Sequence, residues 1–470
     1  MTDTIFDVAI IGAGVVGCAI ARELSKYKLQ CALIEANNDV GAGTSKANTA
    51  ILHTGFDAKP GYLETRLLRR GYELLKAYCP EAGIPIEQVG ALLVAWDEEQ
   101  LDVLPAMRDL AHQNGIADVE IMSATEAYRR EPHLGKGALG ALVVPGEAII
   151  CPFTTPLAFA TQAVINGLSL QLNSAVQAVE VSSKHTYAIR STNRTAYARF
   201  VVNAAGLHAD SINRQFDLHN LTIIPRRGEL IVYDKLSRPL VNHILLPVPG
   251  KMGKGVLIAP TVFGNVMLGP TAENVDDKTA TNTTIEGIAA LLDKGRRILP
   301  ELVDEEVTAM YAGLRTSTSH DDYQIHIYPE KRYICVGGIR STGLSASMGI
   351  AEFVVEQLAK AGLDLAPKVE FKPVRMPNIG EAFMRPYQSE DMIAANPDYG
   401  RIACHCERVT RAEIQAATYS LIPVHDYDGL RRRTRALMGR CQGFFCSAEI
   451  AALLARSSEQ NSKQVAGTEP

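Results

Sequence analysis

The sequence predicts an α/β protein, α+β over its full length. It would consist of a discontinuous nucleotide-binding domain, a mixed β-sheet domain inserted into it, and a small helical unit at the C-terminus. Three observations predict this. FDVAIIGAGVVGCAIARELSKYKLQCALIEA (6–36) reads as strand, glycine turn, helix and second strand. RFVVNAAGLHAD (199–210) and RYICVGGIRSTGLSASMGIAEFVVEQLA (332–359) repeat a strand, a small-residue turn and a helix start much later in the chain. Four of the nine cysteines fall in two short stretches, IACHCERVT (402–410) and MGRCQGFFCSAEI (438–450).

The bulk numbers narrow the class. A chain of 470 residues holds two or three domains and a sizeable core. Its 47% hydrophobic and 21% charged residues are ordinary for a soluble protein, and a net charge of −5 offers no attraction for nucleic acid. The first residues lack the basic start of a secretory signal. The apolar IFDVAIIGAGVVGCAIA (5–21) carries Asp7 and three glycines and is too short to span a bilayer. A cytoplasmic protein with no transmembrane segment is expected. In a reducing cytosol, clustered cysteines point to metal or redox chemistry rather than structural disulfides.

Taken in order, VAII is a short buried strand and Gly12-Ala13-Gly14-Val15-Val16-Gly17 a glycine turn. Gly12 permits the tight turn, Gly14 lets the backbone approach a pyrophosphate, and Gly17 lets the helix pack against the strand with its N-terminus toward the phosphates. CALIE ends on Glu35, about twenty residues past the turn, where a carboxylate accepts hydrogen bonds from ribose hydroxyls. The context makes this a Rossmann-type site, although the motif alone does not separate FAD from NAD. The nucleotide-binding pieces are about 1–80, 151–216 and 326–365. The inserted pieces, about 81–150 and 217–325, carry strand patterns such as ALLVAW, GELIVYD and GVLIAP. Residues 366–399 are proline-punctuated and read as a linker, 400–456 as a separate small domain, and 457–470 as a disordered tail.

GAGVVG at 12–17, GTSKANTAILHTGFDAKPG at 43–61, NAAG at 203–206 and GGIRSTGLSAS at 337–347 lie in an order that resembles the FAD-dependent glycine/D-amino-acid-oxidase (DAO) superfamily. Within it, the chain is similar to the branch of FAD-linked glycerol-3-phosphate dehydrogenases and oxidases and L-2-hydroxyglutarate oxidases. The resemblance spans essentially the whole chain. It implies FAD across the Rossmann sheet and the substrate beneath the mixed sheet. It also implies cofactor contacts from Thr44 and Ser45, from Ala205 and Gly206, and from Gly338, Gly343 and Leu344.

In that branch the histidine of N-x-x-x-x-H-x-G is the base, which here is His53, between Asn48 and Gly55. Oxidising CHOH to C=O sends a hydride to the flavin and needs an acceptor for the hydroxyl proton. A neutral imidazole with an ordinary pKa near ~6.5 suits that task. The residues that follow are Thr54-Gly55, where aerobic glycerol-3-phosphate dehydrogenases carry a glycine doublet. An anionic substrate also needs cations. The resemblance assigns these to Arg315 of YAGLRTSTSHDDY (311–323) and to Lys254, which with Lys251 lies in VPGKMGKGVLIAPT (248–261). Arginine forks onto a carboxylate or phosphate, while lysine acts as a point charge.

Four thiolates from Cys404, Cys406, Cys441 and Cys446 would suit zinc or an iron–sulfur cluster. C-x-C with C-x₄-C is poor zinc-ribbon spacing, and an electron carrier has a use beside a flavin. CHCERVTRAEI followed by GLRRRTRALMGRCQGFFC also resembles the bacterioferritin-associated-ferredoxin-like (BFD-like) [2Fe-2S] domain. Arg432, Arg433, Arg435 and Arg440 read either as charges offsetting such a cluster or as a solvated helix face. Cys18, Cys31, Cys79, Cys151 and Cys335 read as core residues.

The resulting expectation is an FAD-dependent dehydrogenase acting on a small anionic 2-hydroxy substrate, foremost sn-glycerol 3-phosphate giving dihydroxyacetone phosphate. Electrons would leave singly through the [2Fe-2S] cluster to an electron-acceptor protein or a quinone-linked subunit. The latter would hold the protein peripherally at the inner membrane. The alternatives are an L-2-hydroxyglutarate oxidase or dehydrogenase, an amine or amino-acid oxidase, and an electron-relay subunit without a substrate site.

Overall fold

A computed structural model describes residues 4–183, 186–249 and 255–466. The first strand, Ile5–Ile11, lies inside an eight-stranded sheet, parallel to Cys31–Ile34 on one side and Thr195–Asn203 on the other. Tyr333–Gly337 also pairs in parallel with Thr195–Asn203, and Ser169–Gln171 with Cys31–Ile34. Val8, Ala9 and Ile10 are fully buried, as expected of a parallel strand covered on both faces. The helices Val15–Leu24, Leu63–Ala82, Thr154–Ile165 and Gly343–Lys360 pack together in one core with this sheet.

The glycine turn fits its sequence closely. Gly12 has φ +101°, which only glycine adopts freely, and a Cβ on Gly17 would stand 1.9 Å from the Gly12 carbonyl oxygen.

The second sheet has nine strands. Ile224–Tyr233 and Val307–Ser317 run antiparallel, placing Arg226 opposite Arg315 and Gly228 opposite Gly313. The sheet is mixed because Ile244–Pro247 lies parallel to Ala91–Ala95, while its other neighbours are antiparallel. The helix Ile285–Ile298 starts at Thr284, whose hydroxyl accepts from the Gly287 N–H, and its Leu291 joins the apolar core with Ile231, Tyr233 and Leu268. A third, small sheet joins Ile51–Leu52 to Ala148–Ile150, with Leu52 opposite Ala148. That register brings His53 beside Glu147.

The linker does not hang free. Lys368 N–H bonds to the Lys26 carbonyl at 2.9 Å, Met376 N–H to Ala82 at 2.8 Å, and Glu381 N–H to Val262 at 2.9 Å. Its prolines prevent a long helix, so the backbone groups find partners along the larger body instead. The C-terminal unit follows, with a hairpin of Ile402–Cys404 and Val409–Thr410 and the helices Arg411–Thr418, Tyr427–Thr434 and Ser447–Ala466. Its core includes Val409, Ile414, Leu430, Leu437 and Ile450. The terminal helix continues to Ala466, into the stretch expected as a tail, because 447–466 has helix-forming residues and neither Pro nor Gly. Residues 467–470 lie outside the described residues.

Of the arginines of the basic segment, Arg432, Arg433 and Arg435 are buried in contacts and form no solvated face, while Arg440 stays half exposed near the sulfurs. Arg432 Nη2 reaches Asp39 Oδ2 at 2.5 Å, and Arg433 grips both Asp39 oxygens at 2.8 Å. Arg435 lies over the Phe263 ring at 4.1 Å, donates to Asn265 at 3.0 Å, and pairs with Glu407 at 3.4 Å. Arg440 bridges Asp234 at 2.9 Å and Glu306 at 3.1 Å, and feels Cys406 as well. These contacts dock the small unit onto both of the larger sheets. Among the described residues, no helix is long and apolar enough to cross a membrane.

Candidate active site and cysteine site

One cavity of about 1640 Å³ runs from the glycine turn to the face of the second sheet. It exceeds the ~300–1,000 Å³ of ordinary small-ligand pockets. Gly12, Gly14, Glu35, Thr44 and Ser45 line one stretch of it, and Ala205, Gly206, Gly338, Gly343 and Leu344 also line it. Gly17 packs behind the turn, off the cavity wall. The helix Val15–Leu24 begins there without a side-chain cap from Gly14, and Ser45 Oγ accepts from the Val15 N–H at 2.9 Å. A Cβ on Gly14 would stand 3.2 Å from that Oγ, so a side chain would crowd the helix N-terminus. Glu35 accepts from the Ala13 N–H at 2.7 Å and from Asn37 at 2.6 and 2.9 Å, which holds its carboxylate at the cavity wall. A glycine cradle, an open helix N-terminus and a tethered carboxylate fit the diphosphate and ribose of FAD.

His53 lies in the same cavity. Its backbone N–H donates to Ser345 Oγ at 2.8 Å, fixing it to the start of the helix Gly343–Lys360. Its Nδ1 is 2.9 Å from Glu147 Oε1 and its Nε2 is 2.9 Å from Asp57 Oδ1. The Phe56 ring meets the imidazole edge-on at 5.4 Å. The ordinary imidazole pKa assumed from the sequence does not hold. Burial alone would lower it, but the Glu147 charge and hydrogen bonds to both carboxylates outweigh burial and raise it to about 10.

Arg315 also lines the cavity, and its Nη2 donates to the Thr271 carbonyl at 3.2 Å. Burial, and then the charge of Arg226, lowers its pKa. Arg226 lies opposite on the neighbouring strand, lines the same cavity, and donates to Asn274 Oδ1 at 2.8 Å. Among the described residues, neither arginine has a carboxylate partner. Lys254, with Lys251, lies outside the described residues. The sequence reading missed Asp57, Glu147 and Arg226. Asp57 stands one helical turn from His53 in sequence, and that spacing was the one local signal available.

In the C-terminal unit the thiols meet in pairs. Cys406 lies near Cys441 and Cys404 near Cys446, with Cys404 also near Cys406 and Cys441 near Cys446. Backbone N–H groups, Phe445 first and then Gly443 and Phe444, hold the Cys441 thiol below its usual range. Burial, and then Cys404, pushes Cys446 up to about 12. Among the described residues, no three His, Cys, Asp or Glu side chains converge on one point as a single-ion site requires. Two facing pairs of thiols suit a binuclear cluster, in which each iron takes two cysteines. The other five cysteines are buried and unbridged.

Comparison with known proteins gives concordant results. Residues 7–357 match the family of FAD dependent oxidoreductases, and residues 402–456 match the BFD-like [2Fe-2S] binding domain. A glycerol 3-phosphate dehydrogenase of Caloramator mitchellensis is 39% identical over 454 residues, covering 96% of this chain and 94% of that protein. A glycerol 3-phosphate oxidase of Mycoplasma pneumoniae is 30% identical over 362 residues, covering 75% of this chain and 94% of its own length. The solved structure of an L-alpha-glycerophosphate oxidase from M. pneumoniae, dithionite-reduced with FAD bound, superposes with a TM-score of 0.75 at 28% identity. It covers 80% of this chain and 100% of that one.

Proposed function

Because the chain belongs to the FAD dependent oxidoreductase family and carries a BFD-like [2Fe-2S] binding domain, we propose that it oxidises a small anionic 2-hydroxy compound, with sn-glycerol 3-phosphate the best fit and dihydroxyacetone phosphate the product. One observation supports this most. The cavity that runs along the nucleotide turn also presents an imidazole backed by carboxylates and two cross-strand arginines that, among the described residues, have no acidic partner.

Gly12, Gly14, Glu35, Thr44 and Ser45 would hold FAD, which would supply a hydride acceptor for the carbinol carbon. His53 Nε2, which meets the partly exposed Asp57, takes the hydroxyl proton once the substrate hydroxyl replaces Asp57 there. Arg315, aided by Arg226 and by Lys254, holds the phosphate away from the reacting carbon and sets which end of the substrate meets His53. Cys404, Cys406, Cys441 and Cys446 would hold the [2Fe-2S] cluster, which supplies single-electron transfer. The acceptor beyond it is an electron-carrier protein or a quinone-linked subunit that holds the chain at a membrane surface.

The test is anaerobic mixing with sn-glycerol 3-phosphate, L-2-hydroxyglutarate, lactate, glycine and glycerol in turn, following flavin absorbance. Bleaching by sn-glycerol 3-phosphate and none by glycerol, which lacks the anion, is expected. Preferential bleaching by L-2-hydroxyglutarate or by glycine would replace the substrate assignment.

A further inference from the structure

We propose that Glu147 is a positioning residue for proton transfer: its buried carboxylate holds the Nδ1 edge of His53, leaving Nε2 as the atom that receives the substrate's proton. The inference rests on His53 being the base.

Glu147 is wholly buried, and among the described residues its side-chain hydrogen bonds fall on Oε1. That oxygen accepts from the Thr54 N–H at 2.8 Å and the Thr54 hydroxyl at 2.7 Å, and stands 2.9 Å from His53 Nδ1. Burying a carboxylate costs several kcal/mol unless charge and hydrogen bonds compensate, and here they converge on one atom beside the imidazole. Oε2 has no partner among the described residues. The turn carrying Glu147 is itself fixed. Its N–H bonds to the Val144 carbonyl at 3.4 Å, its carbonyl accepts from Gly90 at 2.9 Å, and Tyr72 donates to Gly146 at 2.7 Å.

A carboxylate only accepts, so Nδ1 must carry a hydrogen whenever Glu147 is ionised. The other nitrogen then faces Asp57, which belongs to the same short loop as His53 and is partly exposed. The two carboxylates differ in kind. Both line the cavity, but the Glu147 side chain is wholly buried and fixed through Thr54 in the turn before Ala148–Ile150, whereas the Asp57 side chain is partly exposed on the loop of His53 itself. Thr54 supplies two of the three side-chain bonds that hold Glu147.

The groups facing His53 are Glu147 from that turn, Asp57 from its own loop, and Ser345 from the helix Gly343–Lys360. Tyr72, from the helix Leu63–Ala82, stands behind Glu147 and is pushed up to about 12 by burial and then by the Glu147 charge, so it stays neutral through the working range. With both carboxylates ionised the imidazole retains its proton at neutral pH. The proton-accepting form, and with it flavin reduction by substrate, therefore increases as pH rises toward about 10.

The test measures Cε1–H exchange at each histidine by mass spectrometry across pH, in the FAD-loaded protein without substrate. The His53 midpoint is expected well above the ordinary imidazole value of ~6.5. A midpoint at or below that value overturns the proposal and requires no variant. In Glu147→Gln, which keeps the Oε1 acceptor but loses the charge, the His53 midpoint should fall by about 1–3 pH units. The pH profile of flavin reduction should move with it. Glu147→Asp, which keeps the charge, should leave the midpoint high. A folded, FAD-bearing Glu147→Gln protein whose midpoint and profile do not move contradicts the inference. If His53→Asn reduces flavin at the parent rate, the reading of His53 as base fails, whatever Glu147 does.

Discussion

In the proposed reaction His53 receives the substrate's hydroxyl proton. His53→Ala or His53→Asn should therefore slow flavin reduction by roughly 10²-fold or more, measured in single-turnover mixing. FAD content should stay at the parent level, because His53 is not part of the glycine turn. Arg315→Ala should weaken binding of a non-oxidisable phosphate analogue by about 1.5–3 kcal/mol, the range for a charged hydrogen bond. Arg226→Ala should cost less, since that guanidinium is more exposed and shares Asn274. An unchanged Kd in both variants would place the anion elsewhere. At this scale, the resemblance that points to His53 and Arg315 rests on short local patterns, and both residues line one cavity. Glu147 was not legible, because it reaches His53 across 94 residues. Arg226 was missed because its proximity to Arg315 exists only in the register of two strands distant in sequence.

The glycine turn shows what is legible in single elements. Strand, turn and helix are set by residues within one another's immediate neighbourhood, so periodicity and glycine spacing suffice to read them. Gly14→Glu should abolish FAD content, because its side chain would fill the helix N-terminus where Ser45 already stands close. Stoichiometric FAD in that variant would contradict the cradle. The helix Tyr427–Thr434 shows the opposite case. Its arginines read as solvent-facing or cluster-facing because Asp39, their anchor, lies 393 and 394 residues earlier. Asp39→Ala would leave two buried guanidinium groups unpaired, at a cost of about 3–5 kcal/mol to the docking of the small unit. Limited proteolysis should then release the C-terminal unit. Burial would raise the Asp39 pKa, but Arg433 and Arg432 lower it below the usual carboxylate range. Its contribution is therefore present at neutral pH and lost as pH falls through that depressed value.

Over the whole molecule, two sheets enclose one cavity while the cysteine unit is bolted to both of them. The linker, read from the sequence as leaving the flavin-binding part, runs along that part, and its Arg385 is buried against Glu413 of the small unit. The docking contacts use arginines and acids, not the cysteine sulfurs. Cys404→Ser combined with Cys406→Ser should therefore lose iron and acid-labile sulfide while keeping FAD. The division of labour between the sheets and the small unit then has a direct kinetic signature. Anaerobic stopped-flow mixing with sn-glycerol 3-phosphate should bleach the flavin in the parent and in this double variant at nearly the same rate, with cluster reduction following in the parent alone. A flavin that stays oxidised in the parent at saturating sn-glycerol 3-phosphate would contradict the account.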